Sequence, residues 1–260
     1  MDIDNSMSEV SAPSSPSCAT DAGTISAPAA RQAQGIASGT AHASLSITEL
    51  EERRLIHRDQ SMREQANVFR ELRTRLLAFG GEGNFVTLVA PIRYGCGGSF
   101  VARNLAAAFA FDETKSALLI DCDARHPEQA RAMRIHATNG GLMEYLEDDS
   151  ADLADMVYPS GLARLQVLPI ARSREASGEA LSSLRMRAMI DSLRSRQSNR
   201  YLILDAPPVE GSPDTRILSA LADIVVLVAG HGAVTPVAID KAVATFPAEK
   251  VAGVVFNQGV

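Results

Sequence analysis

The stretch that decides the fold reads Ile92-Arg93-Tyr94-Gly95-Cys96-Gly97-Gly98-Ser99. It follows an apolar run at 85–90 and precedes a helical pattern from Phe100 to Phe109. This order is typical of a phosphate-binding loop, in which backbone N–H groups and the positive end of a helix bind phosphate. Such a loop ends in Gly-Lys-Ser/Thr, whereas Gly98 stands here in the place of the lysine. A tight turn that needs glycine only for its backbone angles is the simpler alternative.

The composition indicates a soluble globular protein. Of the 260 residues, 46% are hydrophobic and 22% are charged, and the formal net charge of -6 gives no reason to expect nucleic-acid binding. No apolar stretch approaches the roughly 18–20 residues of a membrane span, and the N-terminus lacks the pattern of a secretory signal. Cys18, Cys96 and Cys122 make no disulfide framework. We therefore expect a cytoplasmic protein.

Three segments are predicted along the chain. Residues 1–46 are rich in Ala, Ser, Thr, Gly and Pro and contain no aromatic residue, so they are predicted to be disordered. Residues 47–80 form a helical lead-in, in which Thr48 and Glu51 are spaced as a capping box and predict a short helix to about His57. An apolar repeat predicts a second helix over 61–78. Residues 81–260 form the main domain.

The main domain alternates between short apolar runs and helical patterns. The runs are almost fully apolar, as in strands that are buried on both faces, and they lie at 85–90, 116–121, 165–169, 201–205, 224–229 and 251–256. The helical patterns lie at 99–111, 127–134, 140–147, 178–196, 213–221 and 235–245. This alternation predicts an α/β fold, a doubly wound and mostly parallel sheet with helices on both faces.

Acidic residues follow two of the predicted strands. Asp121 and Asp123 come after the second strand, and Asp205 ends the fourth. Ligands bind outside the carboxyl ends of the strands in such a sheet, and carboxylates placed there after an apolar run need a cationic partner. Mg2+ with a nucleoside triphosphate fits this requirement, with the Ser99 hydroxyl as a further ligand. Helix capping accounts for at most one of the first two carboxylates.

Three segments resemble the bacterial tyrosine kinases of exopolysaccharide synthesis. Residues 118–127 are similar to the family motif LLIDxDxRxP, residues 201–209 to its DxPP Walker B element, and residues 69–74 to the helix before its nucleotide domain. The family belongs, with the septum-positioning and plasmid-partition proteins, to the deviant-Walker P-loop NTPases. The resemblance runs from about Asn67 to the last residue.

The resemblance implies a nucleotide site with ATP and Mg2+ as its cofactors. It implies that Asp121 is a Mg2+ ligand and the base toward a tyrosine hydroxyl, and that Asp123, Asp205 and Ser99 complete the surroundings of the metal. It also implies that the nucleotide is bound by the loop residues Arg93, Gly95, Cys96, Gly97, Gly98, Ser99 and Phe100.

Three departures from the family pattern predict weakened or absent catalysis. Gly98 replaces the lysine that contacts the β- and γ-phosphates, so we expect Gly98→Lys to raise nucleotide affinity, with Arg93 as the alternative cation. No tyrosine follows Tyr201, whereas the family kinases end in a tyrosine-rich tail that they autophosphorylate. Asn67 replaces the acid of the family's oligomerisation segment, which removes one ion pair between subunits and leaves a homo-oligomer as an open alternative.

The resulting prediction is a tyrosine-kinase-like accessory of exopolysaccharide synthesis, chain-length control or export. The resemblance implies docking to the cytosolic part of an inner-membrane polysaccharide co-polymerase, and hence a peripheral position at that membrane, with no nucleic-acid partner. Two alternatives stay open. One is an active tyrosine kinase that acts in trans with Arg93 in place of the lysine, and the other is a nucleotide-switched positioning ATPase.

Overall fold

The computed structural model describes residues 45–175 and 177–258. Nearly all of the segment predicted to be disordered, 1–46, therefore lies outside the described residues. Within the described part, no helix combines the length and the apolar character that a membrane crossing requires.

Seven strands of the described residues form one sheet. They are β1 (Val86–Pro91), β2 (Ser116–Asp121), β3 (Tyr158–Pro159), β4 (Leu165–Leu168), β5 (Arg200–Asp205), β6 (Ile224–Gly230) and β7 (Val251–Asn257). Their order in the sheet is β3-β4-β2-β5-β1-β6-β7, and only the β3–β4 pair is antiparallel. The predicted, mostly parallel sheet is confirmed.

Ten α-helices connect or flank these strands in the described residues. They are α1 (Ile47–Glu52), α2 (Arg63–Gly80), α3 (Gly98–Ala110), α4 (Gln129–Ala132), α5 (Leu142–Glu147), α6 (Leu153–Met156), α7 (Gly178–Leu181), α8 (Leu184–Arg196), α9 (Asp214–Ser219) and α10 (Pro236–Val243). Two short 3-10 turns lie at Gln60–Met62 and Ala248–Lys250.

The central strands are buried on both faces, and each face has its own hydrophobic core. Alternate side chains of β1 separate in this way: Leu88 joins the core that α5, α8, α9 and α10 cover, whereas Val89 joins the core under α2 and α3. Because successive side chains of a strand point to opposite faces, the almost uninterrupted apolar runs of the sequence are explained. Helices on both faces are thereby confirmed.

Helix α3 follows the phosphate-loop stretch and is almost entirely buried between the sheet and α2. Asn104, in its middle, accepts a hydrogen bond from the Ile56 backbone N–H at 2.8 Å and donates to the Arg54 carbonyl at 3.0 Å. The chain between α1 and α2 is therefore fastened to the same helix. This packing holds the loop before α3 against a rigid base.

The structure corrects several element boundaries. The capping box of α1 is made by Ser46 and Glu49, not by Thr48 and Glu51, because Ser46 has the extended backbone of an N-cap and its hydroxyl accepts from the Glu49 N–H. The helix predicted over 178–196 is two helices, since Ser183 caps the start of α8. The short elements β3 and α6 were missed, because two to four residues carry too little periodicity.

Candidate functional site

The acidic residues and the glycine loop meet at the carboxyl edge of the sheet. Strands β2, β5 and β1 are neighbours, and Asp121 at the end of β2 is the register partner of Asp205 at the end of β5. The loop that follows β1 leads directly into α3. Their positions at strand ends alone predicted that these groups lie at one edge. The parallel register places the two carboxylates side by side.

The loop itself has the shape of an anion cradle. Gly97 lies in the left-handed region with φ +80°, and α3 begins at the next residue. The first N–H groups of this helix have no acceptor within it, so they are free to face an anion. Asn257, at the end of β7, donates from its side-chain amide to the Cys96 carbonyl at 3.0 Å and holds the loop from the other side. Backbone angle and loop position both suit phosphate.

Gly98 has a steric reason to be glycine. It is buried, and a Cβ added there would lie 2.6 Å from Cδ and 2.7 Å from Cγ of Pro91. Since the Pro91 ring is rigid and ends a central strand, it cannot yield as a flexible side chain would. The prediction that Gly98→Lys alone raises nucleotide affinity therefore meets a steric obstacle in this structure. The Pro91 ring and Gly98 pack directly against each other, and this contact leaves no space for a lysine side chain.

Arg93 does not point its charge at the loop in this structure. Its Nε lies 2.7 Å from Oε2 of Glu210, and the pair is about half exposed. The pairing follows from the backbone, because the segment after Pro207-Pro208 runs beside the loop and the Glu210 N–H donates to the Ile92 carbonyl at 3.1 Å. Arg93 as the substitute cation is thus disfavoured by an existing ion pair, although an exposed pair of this kind is weak.

Asp205 is the most unusual group of the edge. It is 1% exposed, and its Oδ1 has no hydrogen-bond partner among the described residues. Burial raises the pKa of Asp205 to about 7, while hydrogen bonds from the Gln129 and Ser99 side chains and the charge of Arg103 act in the opposite direction. A buried carboxylate oxygen without a donor is costly unless a cation or proton occupies the place in front of it.

Asp121 and Asp123 differ in their surroundings. Asp121 is fully buried and accepts backbone N–H bonds from Asp123, Glu128 and Gln129 at 3.2, 3.2 and 3.0 Å. Its pKa is raised well above the usual value by burial and then by the charge of Asp205. Burial also raises the pKa of Asp123, whose Oδ1 accepts from the His126 N–H at 3.1 Å and caps that turn. The helix-capping alternative thus applies to Asp121, whose Oδ2 accepts from the N–H groups that begin α4, whereas Asp123 caps a bend before that helix.

The donor set at this edge suits a hard cation. Two adjoining carboxylates, Asp121 and Asp205, with the hydroxyl of Ser99 close enough to lower the pKa of Asp205, are the oxygen ligands that Mg2+ prefers. The orphaned Oδ1 of Asp205 is the place where such an ion would satisfy an unmet acceptor. In the described part of the chain, no three His, Cys, Asp or Glu residues lie together as a metal-binding group. A site here would therefore depend on Ser99, waters and phosphate as well as on the carboxylates.

Several residues singled out in the sequence have structural partners. The ring of Phe100 packs edge-on against Phe69 of α2, so only its backbone is available to a phosphate. Cys96 is fully buried. Arg103 is 3% exposed, with Nη2 at 3.3 Å from Oε1 of Glu128. Arg125 is exposed and its Nε donates to the Glu175 carbonyl at 3.4 Å.

Sequence reasoning missed four residues of this edge. They are Pro91, Gln129, Glu210 and Asn257. Asn257 carried a usable signal, because it ends an apolar strand as Asp121 and Asp205 do. Gln129 carried none, since it lies outside the motif and only the fold brings its side chain to Asp205.

Comparison with known proteins gives relatives of one kind. The chain is 29% identical over 174 residues to the tyrosine-protein kinase CpsD of Streptococcus agalactiae, which covers 67% of this chain and 74% of CpsD. It is 32% identical over 165 residues to the putative tyrosine-protein kinase EpsB of Ralstonia solanacearum, which covers 61% of this chain but only 21% of EpsB. The resemblance to the bacterial tyrosine kinases is confirmed. No family model matches the chain.

Solved structures place this kinase-like chain among the P-loop folds. The BceF tyrosine kinase domain superposes with a TM-score of 0.64 and 26% identity, covering 83% of this chain and 90% of that domain. The cell division ATPase MinD of Pyrococcus furiosus has a TM-score of 0.55 at 19% identity, covering 66% of this chain and 70% of its own, and shows the shared fold alone. The predicted P-loop NTPase fold is confirmed.

The helix that resembles the family's oligomerisation segment keeps both arginines. Arg73 donates to the Ala108 carbonyl of α3 at 2.9 Å, so it stabilises the packing of α2 on α3 within the subunit. Arg70 is exposed, and its Nη1 is 3.5 Å from Oδ1 of Asn67, which stands where the family has an acid. Within this subunit, Arg70 is thus the more accessible of the two.

Proposed function

We propose that this chain is a tyrosine-kinase-like accessory of capsule or exopolysaccharide synthesis, acting in chain-length control or export, with weak or absent catalysis. The observation that carries the loss of catalysis is the Pro91 ring against Gly98, which excludes a lysine from the place where it would contact the β- and γ-phosphates. Phosphoryl transfer depends on such charges for transition-state stabilisation. The tyrosine-kinase relatives support the biological setting.

Nucleotide and Mg2+ binding are parts of this proposal. The Mg2+ ligands would be Ser99, Asp121 and Asp205, and the bound ion would neutralise phosphate charge. Gly95, Gly97 and the first N–H groups of α3 would hold the phosphates. Loss of the lysine removes one cation from this set without removing the cradle. Binding of the nucleotide is therefore expected to outlast its hydrolysis.

The proposed partner is the cytosolic part of an inner-membrane polysaccharide co-polymerase, with this chain as a cytosolic protein held peripherally at the membrane. The proposal follows the tyrosine-kinase resemblance. A kinase-like domain that has lost turnover retains its fold and its surfaces, because these depend on the buried sheet and helices and not on the lysine. Docking can therefore persist when catalysis does not.

An active tyrosine kinase acting in trans is the second candidate. It requires Arg93 to leave Glu210 and to approach the phosphates, which an exposed ion pair permits at little cost. A guanidinium is planar and larger than an ammonium, however, so it does not reproduce the lysine contact. The nucleotide-switched positioning ATPase is less favoured, since the relatives above are kinases by name and the MinD structure is the more distant in fold.

ATP turnover by the purified full chain tests the proposal. With Mg-ATP, we expect a rate lower by roughly a hundredfold or more than that of a kinase with an intact lysine, because a single electrostatic group is worth about that much in phosphoryl or acyl transfer. Asp205→Asn of this chain gives the background rate. A wild-type rate comparable to that of an intact kinase would contradict the proposal, and dimerisation driven by ATP, measured by light scattering, would favour the positioning ATPase.

Tyr94 is predicted to be the tyrosine that an active kinase can modify. Of the four tyrosines in the chain, Tyr94 is 51% exposed, whereas Tyr158 and Tyr201 donate hydrogen bonds to backbone carbonyls and Tyr145 lies beneath the Arg185 guanidinium. With ATP and a catalytically active relative, phosphate should be found by mass spectrometry on Tyr94. The chain incubated alone with ATP should stay unmodified.

Two variants check the Tyr94 prediction. Tyr94→Phe should abolish labelling by the active kinase, and Tyr145→Phe should leave it unchanged, since the ring of Tyr145 is only partly accessible. Equal labelling of Tyr94→Phe and the wild type would refute the assignment.

A further inference from the structure

Gln129 connects the three segments of the acidic edge. Its side-chain Nε2 donates to Oδ2 of Asp205 at 2.6 Å and to the Ser99 carbonyl at 3.0 Å, and its backbone N–H donates to Oδ2 of Asp121 at 3.0 Å. The residue is fully buried. The side chain of Gln129 thus bridges the end of β5 and the start of α3, while the backbone N–H of Gln129 is bonded to the end of β2.

The contacts settle which end of the amide faces Asp205. Both partners of Nε2 are oxygen acceptors, so the reverse orientation would set Oε1 against a carboxylate and a carbonyl. Oε1 of Gln129 and Oδ1 of Asp205 have no hydrogen-bond partner among the described residues. The amide therefore supplies a neutral N–H donor to a carboxylate, and it leaves two neighbouring acceptor oxygens unmet that a cation would satisfy.

A second resident donor lies at the same place. Arg103 on α3 is buried, and its Nε donates to the same Ser99 carbonyl at 3.3 Å while Nη2 contacts Glu128. Oδ2 of Asp205 and the Ser99 carbonyl are thus occupied by side chains of the protein itself, whereas Oδ1 of Asp205 stays open. A Mg2+ ion needs ligand oxygens at about 2.1 Å, so an ion that takes both oxygens of Asp205 must compete with the amide nitrogen that lies 2.6 Å from Oδ2.

We propose that Gln129 is a positioning residue that occupies Oδ2 of Asp205, so that a divalent ion takes both oxygens of this carboxylate only when this side chain has moved away. The proposal rests on the proposed function in taking Asp121 and Asp205 as the metal ligands. It adds that the chain holds these carboxylates in place without a metal. The occupied Oδ2 of Asp205 and the absent lysine are then two independent obstacles to catalysis.

Mn2+ binding without nucleotide tests this proposal on the full chain. Gln129→Met keeps the length of the side chain and removes both donors, and Gln166→Met on β4 is the matched control. By electron paramagnetic resonance, Gln129→Met should bind Mn2+ roughly tenfold more tightly than the wild type, the scale on which neighbours of metal ligands act. The control should match the wild type, and Mn2+ should raise the thermal midpoint of Gln129→Met more than that of the wild type.

Equal Mn2+ affinity in Gln129→Met and the wild type would overturn the proposal, as would a wild type whose midpoint rises with Mn2+ as much as that of the variant. Should Gln129→Met fail to fold, Gln129→Asn serves instead, because its shorter amide cannot reach both Asp205 and Ser99. Since nucleotide is absent, rapid ATP turnover by the wild type would contradict the proposed function and leave this measurement valid.

Discussion

Gly98→Lys alone is expected to destabilise the protein and to leave its affinity for Mg-ATP unchanged. The new Cβ would lie 2.6 Å from Cδ of Pro91, and overpacking of a rigid, buried site costs about 1–3 kcal/mol. For a domain of this size, the midpoint of thermal unfolding falls by about 2–4 °C per kcal/mol. Differential scanning calorimetry and a calorimetric titration with Mg-ATP measure the two quantities.

The matched double variant Pro91→Ser/Gly98→Lys should behave differently. Removing the ring opens the space for the lysine stem, and a charged hydrogen bond to phosphate is worth roughly 1.5–3 kcal/mol, or ten- to hundredfold in affinity. The Pro91 carbonyl keeps its bond from the Val209 N–H, because that contact is made by the backbone. Pro91→Ser alone should show no gain. Tighter nucleotide binding by Gly98→Lys at unchanged stability would show that the ring is no obstacle.

The metal-free protein is expected to lose stability as the pH rises from about 4 to about 7. The folded state holds the Asp205 proton up to a pKa of about 7 because the group is buried, whereas the unfolded chain releases it near the ordinary aspartate pKa of 3.8. Between these values the folded state binds more protons than the unfolded state, so the free energy of unfolding falls with rising pH. The expected loss is on the order of a few kcal/mol.

Asp205→Asn isolates this effect. The variant cannot ionise at that position, so its free energy of unfolding should vary less between pH 4 and 7, and at pH 8 it should be more stable than the wild type. Urea denaturation in the presence of EDTA across this range gives the comparison. A wild type whose stability rises with pH, with the same slope in Asp205→Asn, would contradict burial as the dominant influence on this carboxyl.

Much of the site could be predicted because its acidic residues lie directly at the ends of strand-like apolar runs. Asp121 and Asp205 each follow an apolar run, and parallel strands bring their carboxyl ends to one edge, so the pairing of these acids followed from local pattern and one rule of topology. The glycine loop was recognisable for the same reason, since it joins a strand directly to a helix. These features need no knowledge of side-chain packing.

The behaviour of the site could not be predicted in this way. The ion pair of Arg93 with Glu210 joins residues 117 positions apart, and the bond from Gln129 to Asp205 spans 76 positions. Neither is encoded by spacing. The third acid, Asp123, fits the motif as well as Asp121 does, yet it caps a turn, because side-chain direction in a loop depends on where the backbone bends.

Periodicity, strand-end position and residue identity are local properties, so the class of fold, the edge of the sheet where a ligand would bind and the absence of the lysine can all be read along the chain. The obstacle to a lysine at Gly98 and the contacts that hold the carboxylates depend on packing between distant segments. Pro91 lies seven residues before Gly98, and its ring meets the start of α3 only because the loop folds back on the strand. Contacts of this kind depend on distances in space, to the tenth of an ångström, which no pattern along the chain contains.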